Sequence, residues 1–115
     1  MIEIRFTRDS RGRLSSVFAR GHAEFGKYDE DVVCAAVSAI LQAAYAGLED
    51  VAKLKFEGKH VSGELDIKIP EEARDRLDVA AILGTAEIAL VQLGLQYPGY
   101  VRVTRDAETV GPSTG

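Results

Sequence analysis

A chain of 115 residues is long enough to bury one compact core without disulfides or metals, and 46% hydrophobic with 28% charged residues is the balance of a globular domain. A formal net charge of −4 disfavours broad contact with nucleic-acid phosphates, so no direct nucleic-acid partner is expected. The apolar stretch at 32–41 falls short of the roughly eighteen residues a membrane span needs, so none is expected.

Residues 2–7 (IEIRFT) alternate apolar and polar as a half-buried strand does. DSRGR at 9–13 supplies turn residues, and LSSVFARGH is a second extended run, which predicts an opening hairpin. The same N-terminal stretch has neither an apolar signal core nor the acid-free character of a transit segment, so a cytoplasmic location is expected. From Asp31, DVVCAAVSAILQAAYAGLEDVAK is rich in alanine and leucine and lacks proline, which predicts a long helix starting near Asp29–Asp31 and ending near 50–53. This helix is apolar on more than one face over 32–44, as expected if the sheet and a second surface, such as a dimer partner, both cover it.

KLKFEGKHVSGELDIKIP reads as a second hairpin, Lys53–Glu57 and Val61–Ile69, with Gly58 in the turn and His60 a solvated turn residue. Pro70 suits the first turn of a second helix, on which Leu77, Ala81, Gly84, Ile88, Val91 and Leu95 recur at spacings of three and four. Tyr97-Pro98-Gly99 breaks it, and YVRVTRD at 100–106 alternates as a last strand. The expectation is an α+β fold in the order β-β-α-β-β-α-β, a mainly antiparallel sheet with two helices packed on one face. Residues 1–106 form a single domain, and 107–115 a disordered tail. The order leaves the strand pairing open.

The one cysteine, Cys34, can form neither an internal disulfide nor a multi-thiolate zinc site, and no metal or cofactor is expected. A helix start just before it would favour an anion there through free N–H groups and the helix dipole, with Asp31 opposing. His22, at the end of the second strand, could return to Cys34 through the loop 23–30 and take its proton. Asp31, Cys34 and Ser38 share a helix face. Ala35 and Ala36 leave room for a peptide backbone, and the N–H of Cys34 or Ala35 could serve an oxyanion. A lone cysteine in an alanine-rich helix is most often packing, and a strand-end histidine is most often a surface residue. Spacing therefore leaves open a Cys-His dyad, used for peptide hydrolysis or for thiol-redox or acyl-transfer chemistry, and a non-enzymatic binding module with a buried cysteine; the missing second cysteine weakens the redox form.

The run Gly21-His22-Ala23 followed by Asp31-Val32-Val33-Cys34-Ala35-Ala36-Val37-Ser38 resembles the signature of the ribosomal-processing cysteine proteases, the Prp or YsxB-like family. The likeness extends to length and strand–helix order. The resemblance implies a small bacterial cytosolic endopeptidase, working as a homodimer, that removes the N-terminal extension of large-subunit ribosomal protein number twenty-seven. It places the general base on His22 and the nucleophile on Cys34, with supporting roles for Gly21, Asp31 and Ser38. The loop would then be a lid over the substrate peptide, with Phe25, Gly26 and Tyr28 as substrate-side residues; the two aromatics serve equally well as anchors of the loop on the domain. The family's loop usually has glycines where this chain has Glu24 and Asp29, which implies a stiffer, more acidic loop.

Overall fold

The computed structural model describes residues 1–21, 28–61 and 63–108 and, within the first helix, side chains from Val32 onward. Strands β1 (Ile2–Arg8) and β2 (Leu14–Arg20) form the opening hairpin. Alternation sends Ile2, Ile4 and Phe6 from β1, and Val17 and Ala19 from β2, into the core. At the turn, one Asp9 carboxylate oxygen accepts the backbone N–H groups of Arg11 and Arg13 at 2.9 and 3.1 Å. Gly12 takes the positive φ of 80° the turn requires.

Helix α1 (Tyr28–Ala46) continues into a π-helical stretch, Gly47–Val51. A Cβ on Gly47 would sit 3.3 Å from Ile82 of the second helix, so the absent side chain lets the helices approach closely. Strands β3 (Glu57–Val61) and β4 (Glu64–Lys68) pair antiparallel. A short 3-10 turn, Glu71–Ala73, precedes α2 (Leu77–Gln96), and β5 (Val101–Ala107) completes the sheet. The strand order is β3-β4-β2-β1-β5, with β5 parallel to β1 and every other neighbour antiparallel. Leu65 and Ile67 of β4 and Val101 of β5 join the inward residues of the hairpin beneath Val33, Val37, Leu41 and Leu48 of the first helical segment and Val79, Leu83 and Leu90 of α2. One sheet face therefore carries both helices, as the alternating pattern predicts.

Three expectations shift. The second hairpin turns between Val61 and Glu64, where Gly63 has φ of 79°, and Gly58 and His60 lie inside β3. A Cβ on Gly58 would come 2.5 Å from the Tyr45 hydroxyl and 2.8 Å from Phe56; this glycine makes room for an aromatic ring, not for a turn. Pro70 precedes the 3-10 turn, and α2 begins at Leu77. The predicted stripe of α2 is its outer face: Leu77, Ile88 and Leu95 are 84%, 58% and 78% exposed, while Val79, Leu83, Ala86 and Leu90 are buried. Helix periodicity finds two apolar faces on α2 and cannot choose between them; the sheet does. By length and composition Val32–Val51 and Leu77–Gln96 could each cross a bilayer, which a search for uninterrupted apolar runs missed; each lays one stripe on the sheet.

Two ion clusters fasten the far end of the hairpin. Glu87, buried on α2, receives two bonds from the Arg8 guanidinium at 2.8 and 2.9 Å and pairs with Arg105 at 3.2 Å. Its carboxyl is held below the usual range chiefly by the Arg8 hydrogen bond, against the opposing effect of burial, with the charges of Arg8 and Arg105 adding to it. Asp9 meets the side chains of Arg13 at 3.0 Å and Arg74 at 3.1 Å.

Candidate active site

Cys34 is the seventh residue of α1. Val33, Val37 and Leu41 form the buried stripe on the sheet, leaving Cys34 and Ser38, one turn apart, half-buried on its flank. Both line a cleft of about 410 Å³ between α1 and the sheet. Its floor is apolar, made of Ile2, Ala19, Leu41 and Leu65; Gly21, Gln42 and His60 stand at its walls.

Gly21 closes one end of the cleft. It has φ of 111°, and a Cβ there would lie 2.5 Å from the Met1 carbonyl oxygen. Its N–H donates to the Gly63 carbonyl at 3.0 Å. No residue with a side chain fits that backbone without strain, so glycine fixes the direction in which the chain leaves β2, one residue before His22.

The fold brings Gly21, Cys34 and Ser38 to one cleft. Tyr28 and Asp31 fall on the first turn of α1, their side chains outside the described atoms, and His22, Phe25 and Gly26 lie outside the described residues. One expectation fails. With the helix starting at Tyr28, the N–H groups of Cys34 and Ala35 lie in its second turn and bond to carbonyls four residues back, so neither is free for an oxyanion. The free N–H groups of the helix start lie a turn before the cysteine.

His60 escaped the sequence reading. It is the register partner of Leu65 across β3 and β4, and its ring centroid lies 5.5 Å from that of Tyr45 on α1. The available signal was its pairing: directly opposite residues of an antiparallel pair share a face, so once the turn is placed between Val61 and Glu64 the partner of the buried Leu65 falls on the helical side of the sheet.

These features define a small α+β domain that presents a half-buried thiol on the wall of a cleft with an apolar floor. The model of the family described as cysteine protease Prp matches residues 1–102, and the chain belongs to that family, as the motif around Cys34 implied. The ribosomal processing cysteine protease Prp of Staphylococcus aureus is 42% identical over 41 residues, 36% of this chain. The match spans 39% of the length of that relative. A crystal structure from Streptococcus mutans shares the fold with TM-score 0.81 and 26% identity, over 94% of this chain and 96% of that one. The essential ribosomal processing protease Prp of S. aureus, solved with a covalently linked product peptide, superposes with TM-score 0.80 at 23% identity, covering 91% and 99% of the two chains. The same S. aureus protein has been solved with a substrate peptide, with TM-score 0.81.

Proposed function

We propose that this chain is a cysteine endopeptidase that removes the N-terminal extension of large-subunit ribosomal protein number twenty-seven in the bacterial cytoplasm, supporting ribosome assembly. The supporting observation is the position of Cys34, which lines an open cleft beside Gly21 and Ser38 although it adjoins the core. In this reading His22 takes the proton from the Cys34 thiol, and Sγ attacks the scissile carbonyl carbon. The tetrahedral intermediate expels the amine, to which His22 returns the proton, leaving a thioester on Cys34. Water, deprotonated by His22, attacks the thioester, and the carboxylate product leaves as the thiol is restored. Gly21 directs the chain into His22, while Asp31 and Ser38 support the dyad. The loop with Phe25, Gly26 and Tyr28 covers the peptide and limits water.

The unit of function is a homodimer of 1–106 domains joined through the outer helical faces. On α1, Val32, Ala35, Ala39 and Ala43 are exposed; beside them runs the Leu77, Ile88 and Leu95 stripe of α2. Small residues on one helix and large ones on its neighbour offer a ridge and a groove to a second copy.

The test is intact-mass analysis of the ribosomal protein, with its extension, after incubation with the parent and with Cys34→Ala and His22→Ala variants. Release of one N-terminal peptide by the parent alone is expected. Equal trimming by the variants, or none by the parent, overturns the reading; the latter with Cys34 inert to iodoacetamide points to a binding module.

A further inference from the structure

An extended peptide entering this cleft has main-chain N–H and C=O groups that must be bonded once water is displaced. The described walls offer it little backbone. Helix α1 uses its own polar groups internally, β2 and β4 are each paired on both edges, and the free edge of β3 points away from the cleft. Among the described residues, the bonding therefore falls to side chains. Arg20 and Glu64 touch the cleft but are register partners on the outward face of the sheet, next to the inward Ala19 and Leu65. Apart from the thiol, the polar side chains on the helical side of the cleft among the described residues are Ser38, Gln42 and His60.

His60 occupies a position where alternation calls for a core residue. Its register partner Leu65 is 3% exposed, yet His60 itself is exposed, because the sheet beside it is left open by α1. The Tyr45 ring lies 5.5 Å from the imidazole, tilted by 41° to it. Gln42 lies just over two turns along α1 from Cys34, about 12 Å at ~1.5 Å per residue, the reach of roughly four residues of extended chain.

We infer that His60, with Gln42 opposite, is a substrate-contacting residue that hydrogen-bonds the main chain of the peptide a few residues from the scissile bond. This rests on the protease reading. It makes His60 a determinant of peptide affinity and not of thiol chemistry.

The test compares His60→Ala, His60→Gln and Gln42→Ala with the parent for cleavage of a synthetic peptide spanning the ribosomal protein's extension. The same peptide, fluorescently labelled, is titrated into Cys34→Ala with and without His60→Ala. His60→Ala is expected to raise KM about tenfold, the loss of about one hydrogen bond, with kcat within about twofold and an unchanged rate of Cys34 alkylation. His60→Gln, which keeps a donor and an acceptor, recovers most of the affinity. An unchanged KM and Kd in His60→Ala overturns the inference and leaves the protease reading standing. A parent that binds the peptide in a His60-dependent way without cutting it keeps the peptide contact at His60 but removes the protease reading and with it the placement relative to a scissile bond; a parent that does not bind it overturns both.

Discussion

The backbone N–H of Gly21 meets the carbonyl of Gly63 at 3.0 Å, and this bond joins the end of β2 to the hairpin that carries His60. The first residue of the chain closes over the same point, since the Met1 carbonyl oxygen would lie 2.5 Å from a Cβ on Gly21. Three segments thus converge one residue before His22. Gly21→Ala that keeps φ near 111° costs about 2 kcal/mol in backbone strain and still brings Cβ to 2.5 Å from the Met1 carbonyl oxygen, so the end of β2 and Met1 must also move apart. Thermal unfolding is expected several degrees lower, and kcat/KM for the ribosomal peptide at least tenfold lower, with Cys34 still open to alkylation. An alanine variant of parental activity would show that the exit direction of β2 does not matter to the proposed dyad.

The sequence makes local structure readable and leaves long-range choices hidden. IEIRFT and YVRVTRD alternate cleanly, and both appear as strands; their parallel pairing joins opposite ends of the chain and leaves no mark in either segment. The outer stripe of α2 has the same spacing as the inner one, so only the position of the sheet separates them. Cys34 and Ser38 were legible because one helix carries both. His60 was not, because it enters the cleft from a hairpin whose turn glycine is Gly63, and Gly58 competes with it for that role in the sequence.

Asp9 makes the fold sensitive to acid. Burial raises the pKa of this carboxyl, but the backbone N–H groups of Arg13 and Arg11, the Arg74 hydrogen bond and the Arg13 charge together outweigh it and hold the pKa at about 2. A folded-state pKa below the unfolded value means stability that is fully present above about pH 4 and is lost as pH falls towards 2. Glu87, also held low, acts in the same direction. Thermal melts from pH 7 to pH 2.5 should show the melting temperature falling mainly below pH 4. In Asp9→Asn the neutral-pH value drops and the acid limb flattens; an acid limb as steep as the parent's would assign the sensitivity to other carboxylates.

Lys53 follows the π-helical end of the first helical segment with φ of 53°, while the Leu54 N–H returns to the Leu48 carbonyl at 2.9 Å. This is the left-handed residue that terminates a helix, a position glycine fills without a Cβ penalty. Lys53→Gly is expected to stabilise the protein by up to about 1 kcal/mol, and Lys53→Val to destabilise it. Denaturant unfolding of the pair, with m-values compared, decides the sign.

Ile88 is 58% exposed in the middle of the outer stripe of α2, so a charge there disturbs nothing within one chain. Ile88→Glu should change the stability of the isolated domain by less than about 0.5 kcal/mol. It places two carboxylates in the interface of the proposed dimer, where they must be desolvated unpaired. Light scattering at micromolar concentration is expected to give a dimer for the parent and a monomer for Ile88→Glu, and Ala39→Glu on the neighbouring face of α1 should act the same way. A monomeric parent removes the dimer, and a dimer that survives both substitutions moves its interface away from the helices. The helical face lies opposite the polar face of the sheet, where Glu3, Arg5 and Arg102 are exposed, so the two variants separate the two available surfaces.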